Sequence, residues 1–277
     1  MTVITPLAAF ARPRSLPRRE ALPHWRPGLG GAALHGEVFA PAGEGSGAAL
    51  ALALALDARQ TGEERGWLWV QDARAIRLGG RPYQPGLPPA LRHRLIHVAT
   101  RTPEDALFAL EEGLRCRDLA FVIGEIAGNP KALGFTAARR FSLAVERHGV
   151  PLWLVRLDAE RALSSARQRW EARAAPSLPP RWNPAAPGAP AWQAELFRAR
   201  AHPPGKWVLR EKGRQLVHGP LSDRGEDTQA WLRSGLAEGG EGHPPVPRGP
   251  SAPLQATLAP AGASCAIPSP IGERASA

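Results

Sequence analysis

Leu119-Ala120-Phe121-Val122-Ile123 is an uninterrupted apolar run, and Val150 to Val155 is a second. A run with no polar alternation has no face to offer water, so as a strand it must be covered on both sides. Between the two runs, Thr136 caps a helix to about His148, and Gly149 ends it. Two-sided strands separated by a helix require a parallel sheet with helices on its faces. This alternation predicts an α/β fold with a mostly parallel sheet.

The pattern extends upstream. Glu37 to Ala40 reads as a short strand, followed by a Gly-rich turn and an Ala/Leu helix over roughly 46–59. Trp67 to Val70 and Leu95 to Val98 are further strands. Thr102-Pro103-Glu104-Asp105 opens a helix running to about Arg115, with a hydroxyl cap, Pro at the first helical position and acids in the first turn. Downstream the character changes. Segments 167–175, 191–200 and 206–218 read as strands carrying Trp170, Trp192 and Trp207 among charged neighbours. A Pro-rich loop at 176–190 separates the first two, and Lys212-Gly213 sits where a hairpin turn belongs. These segments predict an antiparallel extension on the sheet edge.

Charge marks the same divisions. Residues 1–30 hold five cations and one acid, 31–166 hold sixteen and fifteen, 167–220 hold ten and three, and 221–277 hold four and six. Only three of the cations are lysines (Lys131, Lys206 and Lys212); Arg abundance beside Ala, Gly and Pro is the signature of a GC-rich genome. From Ala237 onward Pro and Gly make up 14 of 41 residues, too few large apolar groups to offset ordering entropy. The chain is therefore expected to divide into a flexible basic tail (1–27), a core (28–165), a basic strand extension (166–220) and a disordered tail (221–277). The longest apolar run, Ala48 to Leu56, is nine residues, against about 20 for a membrane span. No secretory leader is visible, so a soluble cytoplasmic protein is expected. Two cysteines, Cys116 and Cys265, exclude a disulfide framework and a cysteine-built zinc site.

A strand ending at Ala40, a loop PAGEGSG over 41–47 and a helix starting near Ala48 is the outline of a phosphate-binding loop. Such a loop converges backbone N–H groups on phosphate. It also needs a Lys for the β- and γ-phosphates and a hydroxyl for magnesium. Here Gly43, Gly45, Ser46 and Gly47 form a degenerate version. If Gly45 closes the loop, Ser46 and Gly47 stand where Lys and Thr belong; if Gly47 closes it, Ala48 and Ala49 do. No lysine precedes Lys131. The strand ending at Ile123 would carry the metal-binding acid of an active enzyme and offers Gly124 and then Glu125. Taken alone, 41–47 also fits an ordinary Gly-rich turn.

Over about residues 28–218 the chain resembles the ImuA family, RecA-like proteins of a damage-inducible mutagenesis cassette. The resemblance is carried by GLGGAALHGEVFAPAGEGSGAAL (28–50), WLWVQDAR (67–74), YQPGL (83–87), EDALFALEEGLRC (104–116), VIGE (122–125), TAARRFSLAVERHGV (136–150), RWEARAAPS (169–177), WQAELFRAR (192–200) and GKWVLR (205–210). It implies a RecA-like, P-loop NTPase-type core. It also implies that the catalytic glutamate of an active recombinase, due just after the Trp67 strand, is replaced by Ala73, with Asp72 beside it. A non-catalytic protein without cofactor is the expectation, acting in SOS-induced translesion synthesis through an ImuB-type polymerase-like adaptor, RecA and an error-prone DNA polymerase. The alternatives are a divergent RecA-family ATPase acting on DNA and a SulA-type cell-division inhibitor.

In the basic block, Arg198, Arg200, Arg210 and Arg214 are candidates for a partner surface or for weak DNA binding, set against a merely solvated sheet. Base stacking there would need exposed tryptophans. His93 and His97 have the spacing of a metal pair but straddle a strand pattern and lack a third ligand, so no metal is expected. Arg139, Arg140 and Arg147 read as a solvated helix face, with contact to DNA or a partner as the alternative. Cys116 reads as a partly buried structural residue.

Overall fold

Uninterrupted apolar character sets the middle of the sheet. Strands β1 (His35–Ala40), β4 (Leu119–Ala127) and β5 (Leu152–Leu157) are buried along their whole length and lie side by side in the order β4-β5-β1. With β2 (Gly66–Gln71), β3 (Leu95–Ala99), β6 (Gln168–Ala174), β7 (Ala191–Ala199), β8 (Gly205–Lys212) and β9 (Gln215–Pro220) they form one sheet, β3-β2-β4-β5-β1-β6-β7-β8-β9. The computed structural model describes residues 35–59, 62–177, 180, 183, 186–212 and 215–220. Both expected tails, Cys265, Arg214 and the proposed turn residue Gly213 lie outside them. The described residues all fall within one compact unit, 1–239.

The fold is α/β with a mostly parallel sheet extended by antiparallel strands. The antiparallel part begins one strand later than the sequence suggests. β6 pairs parallel with β1, and only β7, β8 and β9 run antiparallel. A parallel β5-to-β6 step needs a crossover, which the segment 158–167 provides on one face. Its Ser164 donates to Glu37 of β1, and its Ser165 hydroxyl lies 2.7 Å from that of Ser142. The boundary expected at 165/166 therefore falls inside a continuous sheet.

Helix α1 (Ser46–Asp57) covers one face. It is almost wholly Ala and Leu because it is enclosed: it packs on β1, β4, β5 and β6 and also meets β9, where the Leu216 amide donates to Asp57 at 3.1 Å. Leu50, Trp67, Phe121, Trp153, Trp170 and Trp192 belong to the core on this side. Helices α4 (Pro103–Arg115) and α5 (Phe135–His148) cover the other face, burying Leu110, Leu114, Phe141 and Val145 with the alternate residues of β2, β4 and β5.

Thr102 caps α4 as expected, accepting from the Asp105 amide at 3.1 Å. α5 differs: it starts at Phe135 behind Gly134, and Thr136 lies exposed inside its first turn without capping it. Gly149 ends α5 at φ 74°, the left-handed conformation that favours glycine. Two short helices, α2 (Ala73–Gly79) and α3 (Pro89–Arg92), have no counterpart in the sequence reading. Among the described residues no helix is long and apolar enough to cross a membrane.

Gly36 is required by packing. A Cβ there would stand 2.3 Å from Cζ3 of Trp153, its neighbour on β5. Gly36→Ala is expected to lower unfolding free energy by about 1–3 kcal/mol through overpacking. Urea denaturation followed by tryptophan fluorescence measures it, and an unchanged midpoint would contradict the packing.

Candidate functional site

The chain leaves β1 at Ala40, turns through Pro41 to Gly45 and enters α1 at Ser46. Glycine is needed at one position of this loop. A Cβ on Gly47 would lie 2.7 Å from Ala40 Cβ and 3.0 Å from Val155 Cγ1, so its absence lets α1 close on β1 and β5. Gly43 and Gly45 are exposed, with nothing within 4 Å of an added Cβ. Ser46 is buried, and its hydroxyl faces the Ala172 carbonyl of β6 at 3.5 Å.

One amide of the loop is bound to a carboxylate, and a second closes the turn on the Pro41 carbonyl. The Ala42 amide donates to Asp158 Oδ1 at 2.9 Å, while the Asp158 amide donates to the Ala40 carbonyl at 3.1 Å. Asp158 thus clamps the end of β1 from the end of β5. It holds φ 46°, a conformation that Asp tolerates better than most residues. On the other side, Glu44 accepts from the Ala174 amide at 2.7 Å, tying the loop to the end of β6. A phosphate-binding loop presents unshared N–H groups and positive charge; here the Ala42 amide is held by a carboxylate, and Glu44 is the one charged residue of 41–47. The sequence reading missed Asp158, whose only signal is an acid directly after a buried strand.

Glu125 lies on β4, separated from β1 by β5, which at ordinary strand spacing is about 10 Å. It is buried, and its Oε2 accepts from Gln71 Nε2 at 2.6 Å and from Trp69 Nε1 at 3.3 Å. Gln71 also joins His97, Nε2 to Oε1 at 2.9 Å, and donates to the Gly80 carbonyl. A polar relay therefore crosses β3, β2 and β4. Burial is the largest influence on the Glu125 carboxyl and raises its pKa; the two hydrogen bonds oppose that, and Asp72 adds to it. Asp72 is itself buried and structural: Oδ1 caps α2 at the Ala75 amide, 2.6 Å, and Oδ2 accepts from the Ala127 amide, 3.2 Å. Ala73 is the first residue of α2.

The candidate arginines do not form one patch. Arg198 pairs with Arg169 at one end of β7, and the Arg200 amide donates to the Arg167 carbonyl nearby. Arg210 pairs with Ala191 at the other end, seven residues along the strand, which at strand rise is about 23 Å away. Trp170 and Trp192 are buried on the α1 side, and Trp207 is half-buried against them, so Trp170 and Trp192 offer no ring for base stacking.

Elsewhere, Arg140 pairs with Glu111 between α5 and α4 at 2.7 Å, while Arg139 and Arg147 are exposed. Cys116 is exposed rather than partly buried, because it lies beyond the last turn of α4. His93 sits after α3 and His97 on β3; among the described residues no group of three or more His, Cys, Asp or Glu gathers as a metal site would require. The chain matches no protein-family model and no curated protein significantly.

For Glu125, a folded-state pKa raised above the unfolded 4.5 means stability is lost as pH rises from about that value through the folded pKa. Glu125→Gln removes this ionisation, so its stability relative to the wild type should improve between pH 4.5 and pH 8. Thermal melts of both proteins across that range test it, and a constant difference would contradict a buried, strained carboxylate.

Proposed function

We propose that the protein is a non-catalytic, RecA-like accessory factor of SOS-induced mutagenic translesion synthesis. It acts by contacts with an ImuB-type adaptor, RecA and an error-prone polymerase. The observation that carries the reading is the Asp158 carboxylate bonded to the Ala42 amide. It lies in a loop that has the position of a phosphate-binding loop, opening α1 from a central parallel strand, and lacks the lysine and the metal-binding hydroxyl. Phosphoryl transfer depends on charge stabilisation at that position. A carboxylate there works against it, since like charges a few ångström apart repel by roughly 1 kcal/mol even in water. The strand order, with β1 between β5 and β6 of the sheet, supports the RecA-like reading of the core.

A protein without chemistry at this loop works through surfaces. Arg198 and Arg200, exposed at the end of β7, remain candidate partner contacts. Charge there speeds association with acidic partners and makes it salt-sensitive. Affinity capture of the tagged protein from DNA-damaged cells should recover the adaptor, RecA or the polymerase. Recovery of none of them, together with ATP turnover lost in Glu125→Gln, would favour the divergent ATPase. Filamentation on overexpression would favour the division inhibitor.

Restoring the missing groups is not expected to restore turnover. In Ser46→Lys with Gly47→Thr, the threonine would press on Ala40 and Val155, and Ala73 would still offer no carboxylate to orient water. The double variant should unfold at lower denaturant than the wild type and release phosphate from ATP at background rate. Turnover in a stably folded variant would contradict the account of the loop.

A further inference from the structure

A crevice of about 330 Å³ opens at the C-terminal ends of β2, β3 and β4, away from the 41–47 loop. Its position follows from the topology. β2 runs into α2 on the α1 side of the sheet, whereas its neighbour β4 leads to α5 on the opposite side. Where connections from adjacent parallel strands part in this way, a gap is left beyond the strand ends, and ligands of α/β sheets bind in such gaps.

The lining is cationic. Arg74 and Arg77 come from α2, and Arg101 from the β3–α4 connection. Arg74 reaches across the gap to the β4 end, its Nη1 2.8 Å from where a Cβ on Gly128 would stand. All three are exposed, and none has a carboxylate within 4 Å among the described residues. The one acid in the lining, Asp72, already accepts two backbone amides. Behind the wall, buried Arg156 donates from Nη2 to the Gly128 carbonyl at 3.1 Å and to Asn129 Oδ1 at 3.3 Å. It too lacks a carboxylate within 4 Å among the described residues.

We propose that this crevice is an anion site that receives phosphate groups, with Arg74, Arg77 and Arg101 as its donors. Guanidinium groups match phosphate oxygens in geometry and charge, and three of them lining one gap outnumber its single acid, Asp72, so an entering anion is stabilised. Among the described residues no aromatic side chain lines the gap, so it reads the phosphate and not a base or ring. The phosphate can belong to a soluble phosphoanion or to the backbone of a single nucleic-acid strand. The inference stands apart from the proposed function, because it uses neither the 41–47 loop nor a protein partner.

The test uses the purified full chain at low salt. Pyrophosphate binding is measured by titration calorimetry, and binding of a fluorescein-labelled oligothymidylate by anisotropy. Arg74→Gln with Arg101→Gln should weaken whichever probe binds by at least about tenfold. It should also flatten the salt dependence of strand binding by roughly 0.7 in log–log slope per arginine removed. Arg139→Gln with Arg147→Gln, exposed on α5, serves as the control and should leave affinity unchanged, with circular dichroism verifying both folds. Binding of the strand alone assigns the site to a phosphodiester backbone; binding of pyrophosphate assigns it to a soluble phosphoanion. Absence of binding to either probe, or a crevice variant no weaker than the control, would overturn the proposal.

Discussion

Glu37 and Arg169 meet in the interior at 2.7 Å, where parallel β1 joins the first strand of the extension. The pair is closed on all sides. Ser164 donates to the second carboxylate oxygen, and Arg169 also donates to the Ala162 carbonyl at 2.8 Å. The guanidinium lies 5.1 Å from the Phe39 ring centroid and 5.2 Å from that of Phe197, so one cation ties β1, β6 and β7 together. A buried pair satisfied in this way is not a large net source of stability, but leaving one partner unpaired costs about 3–5 kcal/mol. It therefore fixes which strand lies beside β1, and with it the course of 158–167 across the sheet.

That course brings Asp158 to the loop. Asp158 is the first residue of the crossover, and its two bonds to Ala40 and Ala42 hold the turn into α1 closed. Arg161, farther along, pairs with Glu171 and stacks 4.0 Å from the Phe197 centroid, anchoring the crossover to the extension. The 41–47 loop is thus a joint between the parallel core and the extension. Its glycine at position 47 serves helix packing, its Glu44 binds β6, and its Ala42 amide is bound to Asp158. The turn between β1 and α1 is thereby tied to the ends of both β5 and β6.

The sequence made the core legible where residues have one physical solution. The apolar runs at Leu119 and Val150 could only be two-sided strands, and Thr102-Pro103-Glu104-Asp105 could hardly be anything but a helix start. It was less informative where tertiary contacts choose. β4 continues through Glu125 to Ala127 because Gln71 and Trp69 satisfy a carboxylate that local pattern marks as a strand end. α2, ARAIRLG, is too short for a periodic signal and owes its start to Asp72, whose capping role needs β4 beside it. The direction of Trp170 and Trp192 depends on α1 lying against the extension, a contact between segments more than a hundred residues apart. The arginines 198, 200 and 210 are close in the chain, but the β7–β8 hairpin sends them to opposite ends of the sheet.

The central claim is that the 41–47 loop is closed to phosphate by Asp158. Amide-resolved nuclear magnetic resonance during titration with magnesium ATP tests it directly, because it reports each backbone N–H by position. The account predicts that the Ala42 to Gly47 resonances stay in place, whatever shifts arise at Arg74, Arg101 or Gly128. Saturable shifts concentrated at Ala42 to Gly47 would contradict it.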